Sequence, residues 1–117
     1  MKLSEVVENL NLKIFATGGY DLSKIEVNGG YISDLLSDVI AGVSKGDIWI
    51  TIQRHLNILA VAKLKDVSAV LIAKGLSPDD NTIEKAQEEG VVLLGTDLST
   101  FEIAGKLYNL LKYGEVK

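Results

Sequence analysis

The sequence predicts an α/β fold: a three-layer α/β/α domain whose mostly parallel sheet of about five strands carries helices on both faces. Three observations point there. From Ile25 onward, strand-like and helix-like segments alternate. The connections between them are a few residues long, an arrangement that gives parallel strands joined by right-handed crossovers. Residues 69–73 (Ala-Val-Leu-Ile-Ala) are apolar throughout, as in a strand covered on both faces. No linker, repeat or low-complexity segment interrupts the pattern, so residues 1–117 read as a single domain.

Each element has a local reason. Ser4 is placed to cap a short helix through about Asn9, with Glu5 and Glu8 near its positive end. Residues 12–16 form the first strand pattern, and Thr17-Gly18-Gly19-Tyr20-Asp21 reads as a turn. Residues 25–31 read as a second strand interrupted by Gly29-Gly30. The segment between these two strands is too short for a helical crossover, so they are either antiparallel neighbours or not paired. Ser33 is then expected to cap a helix with Leu35, Leu36, Val39, Ile40 and Val43 on one face, and Lys45-Gly46-Asp47 ends it. Residues 48–52 are the central strand. Within it, alternation sets Trp49 opposite Ile48 and Ile50, as core or interface packing.

Residues 56–65 form a helix that is apolar nearly all round, hence deeply packed or at an interface. After the strand at 69–73, Ser77-Pro78-Asp79-Asp80 has the signature of a helix start, and that helix stops at Gly90. Residues 91–94 are the last strand. Ser99-Thr100-Phe101-Glu102 is a capping box, and the helix it opens places Phe101, Ala104, Leu107, Tyr108 and Leu111 at helical spacing before stopping near Gly114.

Composition narrows the function. A 47% hydrophobic content and a mean hydropathy of +0.22 are high for a small domain. A homodimer interface is the expected outlet for this apolar surface, and a sheet buried on both faces is the alternative. Net charge is −4 and the pI about 4.9, with no basic stretch to track phosphates, so nucleic acid is not an expected partner. There are no cysteines, which removes disulfides, thiolate catalysis and Cys-based metal sites. Neither a signal-peptide core nor an apolar run approaching ~20 residues occurs, so a cytoplasmic location without membrane attachment is expected.

The chemistry-bearing residues gather at strand-to-helix junctions. Gln53, Arg54, His55 and Asn57 follow the central strand directly and include the only Arg and the only His of the chain. In α/β sheets ligands bind at the carboxyl ends of strands, where helix N-termini offer unpaired N–H groups and partial positive charge. Arg54 suits a carboxylate or phosphate, Gln53 and Asn57 suit a carbonyl, amide or base edge, and His55 suits a hydrogen bond or a pH response. The purely structural alternative has His55 or Asn57 capping the helix, Gln53 bonded to backbone and Arg54 in solvent.

Asn28-Gly29-Gly30, followed by Ser33 and Asp34, is a second candidate. Paired glycines allow close backbone approach to a ligand, or mark a bulge followed by an ordinary cap. Thr96 and Ser99 follow the last strand and would share an edge with Gln53 if the strands are parallel. Asp34 and Asp38 stand one helical turn apart, a spacing that more commonly marks a solvated face than a cation site. No phosphate-cradling glycine loop, metal-ligand cluster or nucleophile–base arrangement can be read, so neither a catalytic residue nor a cofactor or metal is assigned.

Three segments carry a family resemblance: residues 29–38 (Gly-Gly-Tyr-Ile-Ser-Asp-Leu-Leu-Ser-Asp), residues 46–53 with His55 and Asn57, and Ser99-Thr100-Phe101-Glu102 with Ala104-Gly105. Together they resemble the DRTGG domain, over about residues 1–113. That domain occurs alone in bacteria and archaea, and fused to phosphate acetyltransferase catalytic domains, CBS-domain pairs and P-loop modules. The naming pentapeptide is replaced by Glu26-Val27-Asn28-Gly29-Gly30, in which only the glycines match in full. The resemblance implies a fold like the N-terminal domain of HPr kinase/phosphorylase. It implies a regulatory module, with a partner enzyme in prospect, and supplies no catalytic residues.

The sequence therefore leads to a non-catalytic, ligand-responsive module that binds a small anionic or nucleotide-like molecule at the carboxyl edge of the sheet. A protein-interaction or dimerisation module without a small-molecule site is the alternative.

Overall fold

The computed structural model describes residues 1–115. Its elements are α1 (Leu3–Asn9), β1 (Lys13–Ala16), a 3-10 turn (Leu22–Lys24), β2 (Gly29–Ile32), α2 (Leu36–Gly42), β3 (Asp47–Thr51), α3 (Asn57–Lys65), β4 (Ala69–Ile72), α4 (Asp80–Glu89), β5 (Leu93–Gly95) and α5 (Thr100–Tyr113). The five strands form one sheet in the order β1-β5-β4-β3-β2. All neighbours are parallel except β1, which runs antiparallel to β5. The strands β1 and β2 thus lie at opposite edges of the sheet and do not pair, the second of the two outcomes their short connection allows.

Two apolar layers flank the sheet, as the strand–helix alternation predicts. Ile48, Ile50 and Leu71 face one side, with Leu3 and Val6 of α1 and Ile103, Leu107 and Leu110 of α5. Trp49, Val70, Ile72 and Leu93 face the other, with Val39 of α2, Ile58 and Ala62 of α3 and Ala86 of α4. Every residue of β3 and β4 is buried. Their uninterrupted apolar character follows from being covered on both faces. Among the described residues no helix is long and apolar enough to cross a membrane.

Several boundaries move, each for a local reason. Ser4 lies inside α1 and Lys2 is the N-cap; the backbone N–H of Lys2 donates to Glu5 Oε1 at 3.1 Å. The second strand is confined to Gly29–Ile32, because only there does the chain pair with β3; Val27 bonds instead to the Met1 carbonyl. Ser33 does not cap α2. Its hydroxyl accepts from Leu35 N–H at 3.2 Å in a local turn, and the helix starts three residues later at Leu36. Pro78 precedes α4, whose N-cap is Asp79. On α2 only Val39 is buried; Leu35 and Ile40, expected on the packed face, are exposed at 65% and 41%. The helix is shorter than its pattern, so its apolar stripe is only half covered.

Tyr31 fixes α2 to the sheet edge. Its hydroxyl donates to Asp38 Oδ2 at 2.9 Å, and this bond to a carboxylate holds the phenol pKa above its ordinary value. The folded state favours the protonated phenol, so the bond's stabilisation is present below the unfolded phenol's pKa and fades as pH rises through the folded one. Asp38→Asn is expected to return the Tyr31 titration toward the ordinary phenol range in an ultraviolet pH titration. An unchanged titration would remove Asp38 as the cause.

Candidate functional site

The carboxyl edge of the parallel strands collects the loops after β2, β3, β4 and β5. Their polar groups interlock. The indole N–H of Trp49 donates to the Ser33 carbonyl at 2.8 Å. The Asp34 carboxylate accepts from the Thr51 hydroxyl at 2.8 Å and from Ile52 N–H at 2.9 Å. The Gln53 side-chain amide donates to the Asp34 carbonyl at 2.8 Å, and Gln53 N–H donates to Thr51 Oγ1 at 3.1 Å. The loops after β2 and β3 are therefore stitched together at several points.

The next loops join in the same way. Asp79 N–H donates to the Arg54 carbonyl at 3.1 Å, and Asp79 Oδ2 meets His55 Nδ1 at 2.5 Å. Gly75 N–H donates to the Thr96 carbonyl at 2.9 Å, and Lys74 N–H donates to the Leu98 carbonyl at 2.8 Å. Thr96 is buried and its Oγ1 accepts from Leu98 N–H at 3.3 Å. Ser99 caps α5 by accepting from Glu102 N–H at 3.2 Å, and the Glu102 carboxylate returns to Ser99. The capping box works as its sequence predicts.

Several side chains at this rim stay outside the network, those of Arg54, Asn57, Lys74 and Ser77 among them. Among the described residues, neither the Arg54 guanidinium nor the Asn57 amide has a protein partner, and both residues are exposed. They flank the start of α3, whose N-cap, Leu56, supplies no side-chain hydrogen bond. In the first turn of that helix Ile58 N–H donates to the His55 carbonyl at 3.3 Å and Leu59 N–H to the Leu56 carbonyl at 3.1 Å, which leaves Asn57 N–H at the helix start beside an unpaired cation. Gln53, Arg54, His55, Asn57, Ser33, Asp34, Thr96 and Ser99 thus share one edge of the sheet.

Asn28, Gly29 and Gly30 do not join them. Gly29 pairs with Asp47, the first residue of β3. Asn28 bonds to the Gly46 and Lys45 carbonyls through its N–H at 2.9 Å and its Nδ2 at 3.2 Å. The five-residue length of β3 sets this end roughly 16 Å from Gln53. The sequence pattern did not single out Thr51 and Asp79 as rim residues. Thr51 reads as an ordinary strand residue and Asp79 as an ordinary helix-start acid; their common place at the end of parallel strands was the available signal.

Two concave surfaces lie away from the rim. One, about 580 Å³, runs between β2 and α5. A second, about 330 Å³, lies at the amino edge among Tyr20, Asn28, Lys45 and Asp66. Neither is lined by Gln53, Arg54, His55 or Asn57. Among the described residues no three His, Asp or Glu side chains converge as a metal site requires.

A family model, the DRTGG domain, matches residues 5–110. The chain belongs to the DRTGG domain family. Among solved structures the domain is similar to the CBS and DRTGG domains of the regulatory region of Clostridium perfringens pyrophosphatase, in complex with the activator diadenosine tetraphosphate. The two share 20% identity with a TM-score of 0.68, over 91% of this chain and 45% of that one. At that identity the likeness establishes the shared fold, and this DRTGG domain spans less than half of the longer regulatory chain. A comparison with curated proteins returned no match.

Proposed function

We propose that this DRTGG domain is a non-catalytic regulatory module that binds a small anionic or nucleotide-like molecule at the carboxyl edge of its sheet. One observation carries the reading: Arg54 and Asn57 stand unpartnered beside the start of α3, on a rim where Asp34, Gln53, His55, Thr96 and Ser99 are hydrogen-bonded within the protein. Arg54 would grip a phosphate or carboxylate, the Asn57 N–H at the helix start would share its charge, and the Asn57 side chain would bond a carbonyl or base edge. Ser33, Asp34, Gln53, Thr96 and Ser99 would position the loops, and His55, held by Asp79, would complete the rim. A related fold in a regulatory region complexed with a nucleotide activator supports the choice of ligand class. Because the loops after β2, β3 and β4 are bonded to each other, a ligand at Arg54 would bias their arrangement toward one state and pass that bias to a partner enzyme. A cytoplasmic setting suits this role.

Thermal melts against a panel of mononucleotides, dinucleoside polyphosphates and anionic metabolites test the proposal. A ligand at 100 times its Kd adds about 2.7 kcal/mol, or roughly 10 °C in a domain of this size. Arg54→Ala is expected to abolish the shift without altering the melt of the free protein. A panel with no active compound, or a shift retained in Arg54→Ala, would end this reading.

The exposed apolar side chains favour a second reading, an interaction module that forms a homodimer. Leu35, Ile40 and Leu64 of the α2–α3 layer are 65%, 41% and 69% exposed. Light scattering is expected to give twice the 12.6 kDa chain mass, and Leu35→Asp to restore the single mass. A single mass at all concentrations would remove the dimer.

A further inference from the structure

The cavity between β2 and α5 is built differently from the rim and has no part in the proposed rim site. Its floor is the outer edge of the sheet. Gly30 and Ile32 pair with Ile48 and Ile50 and face the α5 side. Gly30 contributes no side chain; a Cβ there would already lie 3.2 Å from Leu107 Cδ2. The wall is α5, through Ala104, Leu107 and Leu111. The volume, about 580 Å³, falls within the range of small-molecule sites, roughly 300–1,000 Å³. Along α5 the lining runs from Ala104 to Lys112, about 12 Å of helix.

The polar groups are gathered at one end. Lys112 Nζ donates to Tyr108 Oη at 3.0 Å and lies 5.4 Å from the centre of the Tyr108 ring. Among the described residues no carboxylate lies within ion-pair distance of Lys112, in a chain of net charge −4. Asn28 lines the same cavity, and its Nδ2 is bonded to the Lys45 carbonyl. The cavity therefore offers an aliphatic trough some 12 Å long with an uncompensated cation at its mouth.

We propose that this trough is a second ligand site, for an amphipathic small molecule with an apolar body about 10 Å long and one anionic head group. The body lies between Ile32 on the sheet and Ala104 and Leu111 on α5, removing apolar surface from water, and the head group pairs with Lys112. The bare backbone at Gly30 lets Leu107 pack close to the sheet and forms the floor of the trough. This gives Gly30 a role separate from Arg54.

The test uses decanoate, decyl phosphate and decanol as probes on the full chain, followed by amide chemical shifts. Decanoate is expected to move the Gly29, Gly30, Ala104 and Lys112 signals and to leave Gln53 and Arg54 unmoved. Comparison with decyl phosphate decides between a carboxylate and a phosphate head. Lys112→Gln, an exposed substitution that leaves the core intact, is expected to weaken decanoate at least fivefold and decanol by less than twofold. Gly30→Leu, which fills the trough, is expected to weaken both probes tenfold or more. No movement at millimolar decanoate, movement centred elsewhere, or equal binding by Lys112→Gln would overturn the proposal. So would a dimer that Gly30→Leu disperses, because a second copy would then occupy the trough. Loss of the nucleotide response in Arg54→Ala leaves these outcomes untouched, so the two sites fail separately.

Discussion

Trp49→Ala is expected to lower the unfolding free energy by about 3–5 kcal/mol, the cost of truncating a large aromatic in a packed interior. Trp49 is fully buried at the centre of β3, in the layer formed with Val39, Ile58 and Val70. It is flanked by Tyr31 on β2 and Val70 on β4 in the sheet register. The substitution also leaves the Ser33 carbonyl without its indole donor at 2.8 Å, which loosens the loop after β2. The melting temperature should fall by roughly 12–20 °C, at about 4 °C per kcal/mol for a chain of this length. Circular dichroism melts measure it. Trp49→Phe separates the two contributions, since it keeps most of the apolar volume and deletes the donor; it should recover more than half of the loss. A fall of less than 1 kcal/mol in Trp49→Ala would mean that the β3 face is not packed as described.

Gly18→Ala is the second large effect. Gly18 has φ +63°, a backbone region that costs an L-residue roughly 1–2 kcal/mol. A Cβ at Gly18 would stand 2.8 Å from the backbone carbon of Gly90 and 2.8 Å from the nitrogen of Val91. Backbone cannot step aside as a flexible side chain does, so the β1 turn or the end of α4 must shift. The Gly18 N–H also donates to Gln87 Oε1 at 3.1 Å, beside Thr17 N–H at 3.0 Å, and a shift would strain both. A destabilisation of about 3 kcal/mol is expected. Gly19→Ala is the control: it shares a positive φ, yet nothing lies within 4 Å of its Cβ position. It should cost only the conformational part, about 1 kcal/mol. Equal losses in denaturant titrations of the two variants would refute the steric argument.

Much of the architecture was legible because apolar periodicity reports burial. The continuous run at Ala69–Ile72 predicts a strand covered on both faces, and β4 is such a strand. The capping box at Ser99 and Glu102 and the stop at Gly90 are local signals, and both appear where the residues predict. Local signals failed where tertiary pairing decides. Ser33 has the side chain of a helix cap, yet the carbonyl of that residue is held by Trp49 and the helix starts later. Asp34 reads as a helix-start acid and instead joins Thr51 and Ile52 across the sheet edge.

By itself the sequence determined the fold class, the family and the gathering of polar residues after β3, because these rest on the order of segments along the chain and on the residues within each. Only the tertiary structure decided that Asn28 and Gly30 face away from Arg54. The strand order, too, came from the tertiary structure, since β1 is near β2 in the chain yet at the far edge of the sheet. Which strands become neighbours depends on how every helix packs at once, and no local stretch of residues carries that information.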